Sequence, residues 1–208
     1  MFFGRWRRRD PTEKRWLELA EGLGLQQADA GQALLLDLLD LPVGASLGPV
    51  FRVDQSGDAH SDWDVYLFYH RQTAVERMRQ LPCVTGCLLV TQSQISPVSW
   101  RASRKIHNVI AALQASATGG QVTLVPGADE FNQRVTVVAR HGEQAVALLT
   151  PPVRRVLERV LNRVDPPPTL TVGEQRILLT APGSEVAFGT VEFLLSDVLS
   201  LFVALEAR

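Results

Sequence analysis

The run Phe131-Asn132-Gln133-Arg134-Val135-Thr136-Val137-Val138-Ala139, then Leu148-Leu149-Thr150-Pro151-Pro152-Val153, then Thr169-Leu170-Thr171-Val172-Gly173-Glu174-Gln175-Arg176-Ile177-Leu178-Leu179-Thr180, decides how this chain folds. Arg134, Thr136 and Val138 alternate with Val135, Val137 and Ala139 at the two-residue period of a strand. Thr150 followed by Pro151-Pro152 supplies a helix cap and a proline-started first turn. Val153, Val156, Leu157, Val160 and Leu161 then share one helical face, and Pro166-Pro167-Pro168 ends the run. Residues 169 to 172 and 175 to 180 predict a hairpin turning at Gly173-Glu174. The stretch is therefore a β-α-β-β unit. A last helix follows, with Val191, Leu194, Leu195, Val198, Leu201, Phe202 and Leu205 as its apolar face.

Upstream, Asp10-Pro11-Thr12-Glu13 is a helix start with a proline in the first turn. Trp16, Leu17, Ala20 and Leu23 make the apolar stripe, and Gly22 or Gly24 ends it. A leucine-rich helix is expected over residues 30 to 40, before Pro42 breaks it. Residues 49 to 54, 63 to 70 and 84 to 91 read as strands, with a turn at Gln55-Ser56-Gly57-Asp58. From Ser103 the helical period returns through Ile106, Val109, Ile110 and Leu113, stops at Gly119-Gly120, and gives way to a strand near 121 to 125. The expected class is α+β, an antiparallel or mixed sheet with helices mainly on one face and a C-terminal β-α-β-β-α unit. Residues 1 to 10 read as a basic, aromatic tail and 11 to 208 as a single domain, with 119 to 130 as the place for any subdivision.

The 208 residues are 46% hydrophobic and 21% charged, a balance that suits a soluble chain able to bury its own core. Of the 21 basic residues only Lys14 and Lys105 are lysine, which a GC-rich coding bias explains as well as selection for bidentate anion contacts does. Cys83 and Cys87 lie in an apolar run. On a strand they face one side about 13 Å apart, at roughly 3.3 Å per residue, beyond the ~7 Å that the Cα atoms of a disulfide allow. They are expected to be buried small hydrophobes in a reduced, cytoplasmic setting, because no secretory signal pattern is recognisable. Residues 188 to 205 approach the ~20 apolar residues of a membrane span. Glu192 and Asp197 interrupt them, and an acidic group at mid-membrane costs about 2.5 to 3.5 kcal/mol. A core helix is the expectation.

The motif Phe131-Asn132-Gln133-Arg134-Val135-Thr136-Val137, with Ala145, Leu148-Leu149-Thr150-Pro151, Val153, Leu157 and the strand from Ile177 to Leu179, resembles a group of bacterial proteins of uncharacterised function. Longer members of that group carry transmembrane helices ahead of a soluble α+β domain. The resemblance spans the second half of the chain and, more faintly, the strand from Trp63 to His70. It implies a fold, and it implies no catalytic residues.

Two constellations bear on function. At the amino terminus Phe2, Phe3 and Trp6 interleave with Arg5, Arg7, Arg8 and Arg9. Such a segment can seat at a lipid headgroup boundary, where each arginine is worth about 1 kcal/mol, so that all of them together correspond to roughly millimolar attachment. The same residues could meet the phosphates and bases of a nucleic acid. Without those arginines, however, the chain holds 17 basic against 22 acidic residues, no excess with which to track a phosphate backbone. Arg101, Arg104 and Lys105, and Arg154, Arg155, Arg159 and Arg163, read as solvated faces.

The second constellation is Asp58-Ala59-His60-Ser61-Asp62-Trp63-Asp64, in which Asp58, His60, Asp62 and Asp64 share a face of an extended chain and could converge on a divalent ion. An acidic turn leading into a strand accounts for the same letters. His70, His107 and His141 stand apart from one another, and no Gly-x-Gly-x-x-Gly or Gly-Lys-Ser/Thr phosphate-binding loop is present. The reading is a non-catalytic binding or interaction module with a protein partner and no cofactor, cytoplasmic, with an anionic membrane surface as a further partner. A nucleic-acid binder and a metal-dependent hydrolase are the alternatives.

Overall fold

The computed structural model of the chain describes residues 11–39, 46–53, 62–71, 83–105, 116, 119–182 and 187–207. The Asp10 cap, the turn at 55 to 58 and the helical pattern from Ile106 to Leu113 lie outside these residues. The middle of the structure is a long antiparallel pair, β4 (Trp63–Arg71) and β5 (Cys83–Thr91), in register from Trp63 opposite Thr91 to Arg71 opposite Cys83. Val65, Leu67 and Tyr69 of β4 and Cys83, Cys87 and Leu89 of β5 enter the main core. Phe68 and Leu88 point the other way, into a smaller cluster with Leu35, Leu39 and Val50. Both faces of this pair are covered, which is why β5 reads as an almost unbroken apolar run instead of an alternating one.

Around that pair a ten-stranded sheet is assembled entirely from antiparallel neighbours. The short strands β1 (Gln26–Gln27), β2 (Ser46–Leu47) and β3 (Phe51–Arg52) lie on the β4 side. On the β5 side come β10 (Arg176–Pro182), β9 (Thr169–Val172), β6 (Trp100–Arg104), β8 (Val135–Ala139) and β7 (Gln121–Thr123), in that order. The last strand of the chain thus sits in the middle of the sheet, with Ile177 opposite Leu89 and Leu179 opposite Cys87. Its alternation of buried Ile177, Leu179 and Ala181 with less buried neighbours is what lets it fill that place.

Among the described residues the helices are α1 (Pro11–Gly22), α2 (Asp29–Leu38), α3 (Asp129–Arg134), α4 (Gly142–Leu148), α5 (Pro151–Leu161) and α6 (Phe188–Glu206). Helix α1 is anchored by Trp16, which is 1% exposed, donates its indole N–H to the Pro49 carbonyl at 2.8 Å and meets the rings of Phe51 and Tyr69 edge-on at 5.7 Å. Helix α5 buries Val153, Leu157, Val160 and Leu161. Helix α6 lies on β5, β10 and α5 with Val191, Leu194, Val198, Leu201 and Leu205 buried, although by length and composition alone it could cross a membrane.

Several elements depart from the sequence reading. Of the expected strand at 49 to 54 the described residues form only β3 at Phe51–Arg52, preceded by the separate β2 at Ser46–Leu47; between them Gly48 comes so close to the Tyr69 ring that a β-carbon would overlap it, and Pro49 has no N–H to give. Arg134 ends a short helix instead of starting a strand. Asn132 winds that helix up, its side chain accepting from Val125 N at 3.0 Å and donating to Val125 O at 2.8 Å. Helix α4 and strand β6 were not expected. The β9–β10 turn is centred on Glu174-Gln175, one residue later than predicted, since Gly173 N donates to Arg176 O at 2.8 Å.

Candidate functional site

Trp100 and Ala102 are buried in the main core, while Arg101 between them is exposed on the opposite face. The register sets Arg101 beside Val138 of β8 and Thr171 of β9, and its Nε donates to Thr171 Oγ1 at 3.4 Å. Above this row opens a cleft of about 530 Å³, within the ~300–1,000 Å³ common for small-molecule sites.

One wall of the cleft is the loop from Gln92 to Ser99, which the β9–β10 turn holds in place. Ile95 N and Ser96 N both donate to the Glu174 carbonyl, at 2.8 and 3.3 Å, Thr91 N donates to Gln175 O at 2.9 Å, and Gln175 Nε2 donates to Gln92 O at 2.8 Å. Within the loop the buried Ser96 hydroxyl donates to Val98 O and accepts from Val98 N. The tie satisfies backbone groups that a surface loop would otherwise leave to water, so the wall carrying Pro97, Val98 and Ser99 is fixed to the sheet.

Arg140 and His141 leave the end of β8 and close the opposite side. Arg140 follows two residues after Val138, the cross-strand partner of Arg101. Diagonal neighbours of this kind lie roughly 7–8 Å apart, a span over which two arginines can reach one ligand. Gly119, at φ 64°, stands against the Arg140 guanidinium, and Gly120 admits Val138, whose Cγ1 would be 2.9 Å from a β-carbon there. Neither Arg101 nor Arg140 has a carboxylate within ion-pair distance among the described residues. Trp100 borders the cleft from strand β6, but its ring lies in the main core at 2% exposure, and its indole N–H is buried there without a hydrogen-bond partner among the described residues. Such an orphan donor costs about 1–3 kcal/mol and is an observation that asks for a partner.

The cleft offers N–H donors from Arg101, Arg140 and His141, an apolar floor at Val138 and one carboxylate, Glu174. Ser99 and His141 both border it, and among the described residues no hydrogen bond joins them. A second cleft, of about 440 Å³ between α3 and the start of α5, sets Arg154 and Arg155 against Asp129, Glu130 and Glu158 and so carries its own counter-charges.

Of the residues singled out from the sequence, Phe2, Phe3, Arg5, Trp6, Arg7, Arg8, Arg9, Asp58 and His60 lie outside the described residues. Asp62 is exposed at the start of β4, where its carbonyl accepts from Gln92 N at 2.8 Å. Asp64 pairs with Arg52. Among the described residues no group of His, Cys, Asp and Glu is placed to hold a metal. Arg101, Arg104 and Lys105 do not form one face: Arg104 turns to Asp165 at 2.9 Å and Lys105 donates to Asn132 O at 2.8 Å. Arg159 and Arg163, read as solvated, turn to the buried Asp197 at 3.6 Å. The sequence signal for the cleft was an arginine between two buried residues in Trp100-Arg101-Ala102, the mark of an outward side chain on a strand. Compared with known protein families, curated proteins and solved structures, the chain finds no match.

Proposed function

We propose that the protein is a non-catalytic binding module that takes a small ligand into the cleft over β6, β8 and β9. The observation that carries this reading is the rim. The loop from Gln92 to Ser99 and the Glu174-Gln175 turn are tied together by backbone hydrogen bonds around a cleft whose arginines have no carboxylate partner among the described residues. A preformed wall lowers the ordering cost of binding. In this reading residues 11 to 208 act as one domain and the C-terminal half works as a β-α-β-β-α unit. Its helices sit mainly on one face, where α3 to α6 all contribute to the main core, and the opposite face is left for the ligand. The module works in the cytoplasm, and residues 1 to 9 add a weak attachment to anionic membranes.

The test is a thermal-shift screen of small molecules on the native chain and on Val138→Trp, which fills the cleft from its half-buried floor. A ligand binding only the folded state raises the melting temperature by mass action. The expected result is a set of stabilising compounds that lose their effect on Val138→Trp. Equal stabilisation of both proteins, or chemical turnover of a stabilising compound, would overturn the reading.

A further inference from the structure

We infer that the ligand of this cleft is a small organic anion, a phosphate ester or carboxylate on an apolar body, whose oxyanion is shared by Arg101 and Arg140. The inference rests on the binding-module reading and adds the chemistry of the ligand. Arg101 is oriented by the hydrogen bond from its Nε to Thr171 Oγ1, which leaves its two terminal nitrogens free to form the planar fork that matches an oxyanion. Arg140 rises from the neighbouring strand at a diagonal position, beside the exposed His141. The apolar floor at Val138 and the wall of Pro97 and Val98 fit a hydrocarbon or ring body better than a bare inorganic ion. Glu174 on the rim disfavours a second anionic group at that end, so the ligand carries its charge at the Arg101–Arg140 end only.

The experiment uses the full chain in isothermal titration calorimetry. Three probes are titrated: phenyl phosphate, benzoate and the neutral benzyl alcohol. Both anions are expected to bind saturably while benzyl alcohol does not. Added salt should weaken the two anions. Arg101→Gln and Arg140→Gln should each reduce their affinity by about tenfold or more. Tighter binding of phenyl phosphate identifies the phosphate ester as the source of the anion, and tighter binding of benzoate the carboxylate. Saturable binding of benzyl alcohol alone, or anion affinities unchanged in the arginine variants and indifferent to salt, would overturn the anion inference and leave the binding cleft standing. No response to any of the three would count against both.

Discussion

Asp197 and Arg163 meet across the interface of α5 and α6, the carboxylate wholly buried with its Oδ2 3.6 Å from Arg163 Nε. Arg159 approaches Oδ1 at the same distance, and the Arg163 guanidinium lies 5.9 Å from the centre of the Phe193 ring. The spacing is an ion pair without a hydrogen bond, and neither oxygen has a hydrogen-bond partner among the described residues. Burial raises the Asp197 carboxyl above the ordinary aspartate range, while Arg163 and Arg159 pull it back. The folded state therefore holds a proton on Asp197 more tightly than the unfolded state, and stability from this group is fully present below the unfolded value of about 3.9 and lost as pH rises through the raised native value. Asp197→Asn removes the titration. The stability of the native chain relative to Asp197→Asn, measured by denaturant melts across the acid range, should fall as pH rises; a flat or rising difference would contradict it.

Removing the partners instead of the carboxylate should act in the opposite sense at neutral pH. The double variant Arg159→Gln, Arg163→Gln leaves a buried charge without compensation, and a cost of about 1 to 3 kcal/mol is expected. This is below the ~3–5 kcal/mol of a fully buried pair because both arginines keep one side in water. If the double variant melts like the native chain, the pairing contributes nothing and α6 is held by its apolar contacts alone.

The ring of Phe68 covers Gly86, its direct partner across β4 and β5, so closely that a β-carbon on Gly86 would overlap it. Gly86→Ala should therefore cost about 1 to 3 kcal/mol through forced repacking. Gly22, at the end of α1, has nothing within 4 Å of the same added atom, and Gly22→Ala should be neutral or stabilising by up to about 1 kcal/mol. Equal effects of the two substitutions in chemical denaturation would mean that the Phe68 packing is wrong.

Leu157 is fully buried on α5, and Arg155 is exposed on the same helix. Leu157→Ala should cost about 2 to 5 kcal/mol through the cavity it leaves, and Arg155→Ala should stay within about 0.5 kcal/mol. Comparable losses would show that the helix is misphased.

Cys83 and Cys87 are buried in the core, and burial pushes the Cys87 thiol far up. A thiol held protonated and out of solvent is inert. Neither cysteine should react with an aromatic disulfide reagent in the folded protein at neutral pH, and both should react in denaturant. Rapid labelling of the native chain would place one of them at the surface.

Deleting residues 1 to 9 should abolish sedimentation of the protein with anionic vesicles and leave the melting temperature nearly unchanged. The motive is the interleaving of Phe2, Phe3 and Trp6 with Arg5, Arg7, Arg8 and Arg9. Vesicle binding by the truncated chain equal to that of the full one would rule the attachment out.

The elements legible in the letters are those whose stabilising contacts repeat at a fixed local period. The aromatic and branched residues of Trp63 to Arg71, the apolar run of β5 and the 3.6-residue pattern after Pro151 mark a strand, a strand and a helix wherever they pack. Tertiary pairing decided the rest. That β10 lies between β5 and β9, that Asn132 clamps Val125, and that Arg159 and Arg163 turn inward to Asp197 all depend on groups brought together from distant parts of the chain. The cleft is the clearest case: Arg101 and Thr171 stand 70 residues apart in sequence and meet only because β9 pairs with β6. The sequence by itself determined the long periodic segments and which of their faces are apolar, because each residue's own neighbours encode that, whereas the short β6 and α4 took their form from the packing around them. It left open which polar side chains share a site, since strand order and register are set by burial summed over the whole sheet and no local pattern contains them.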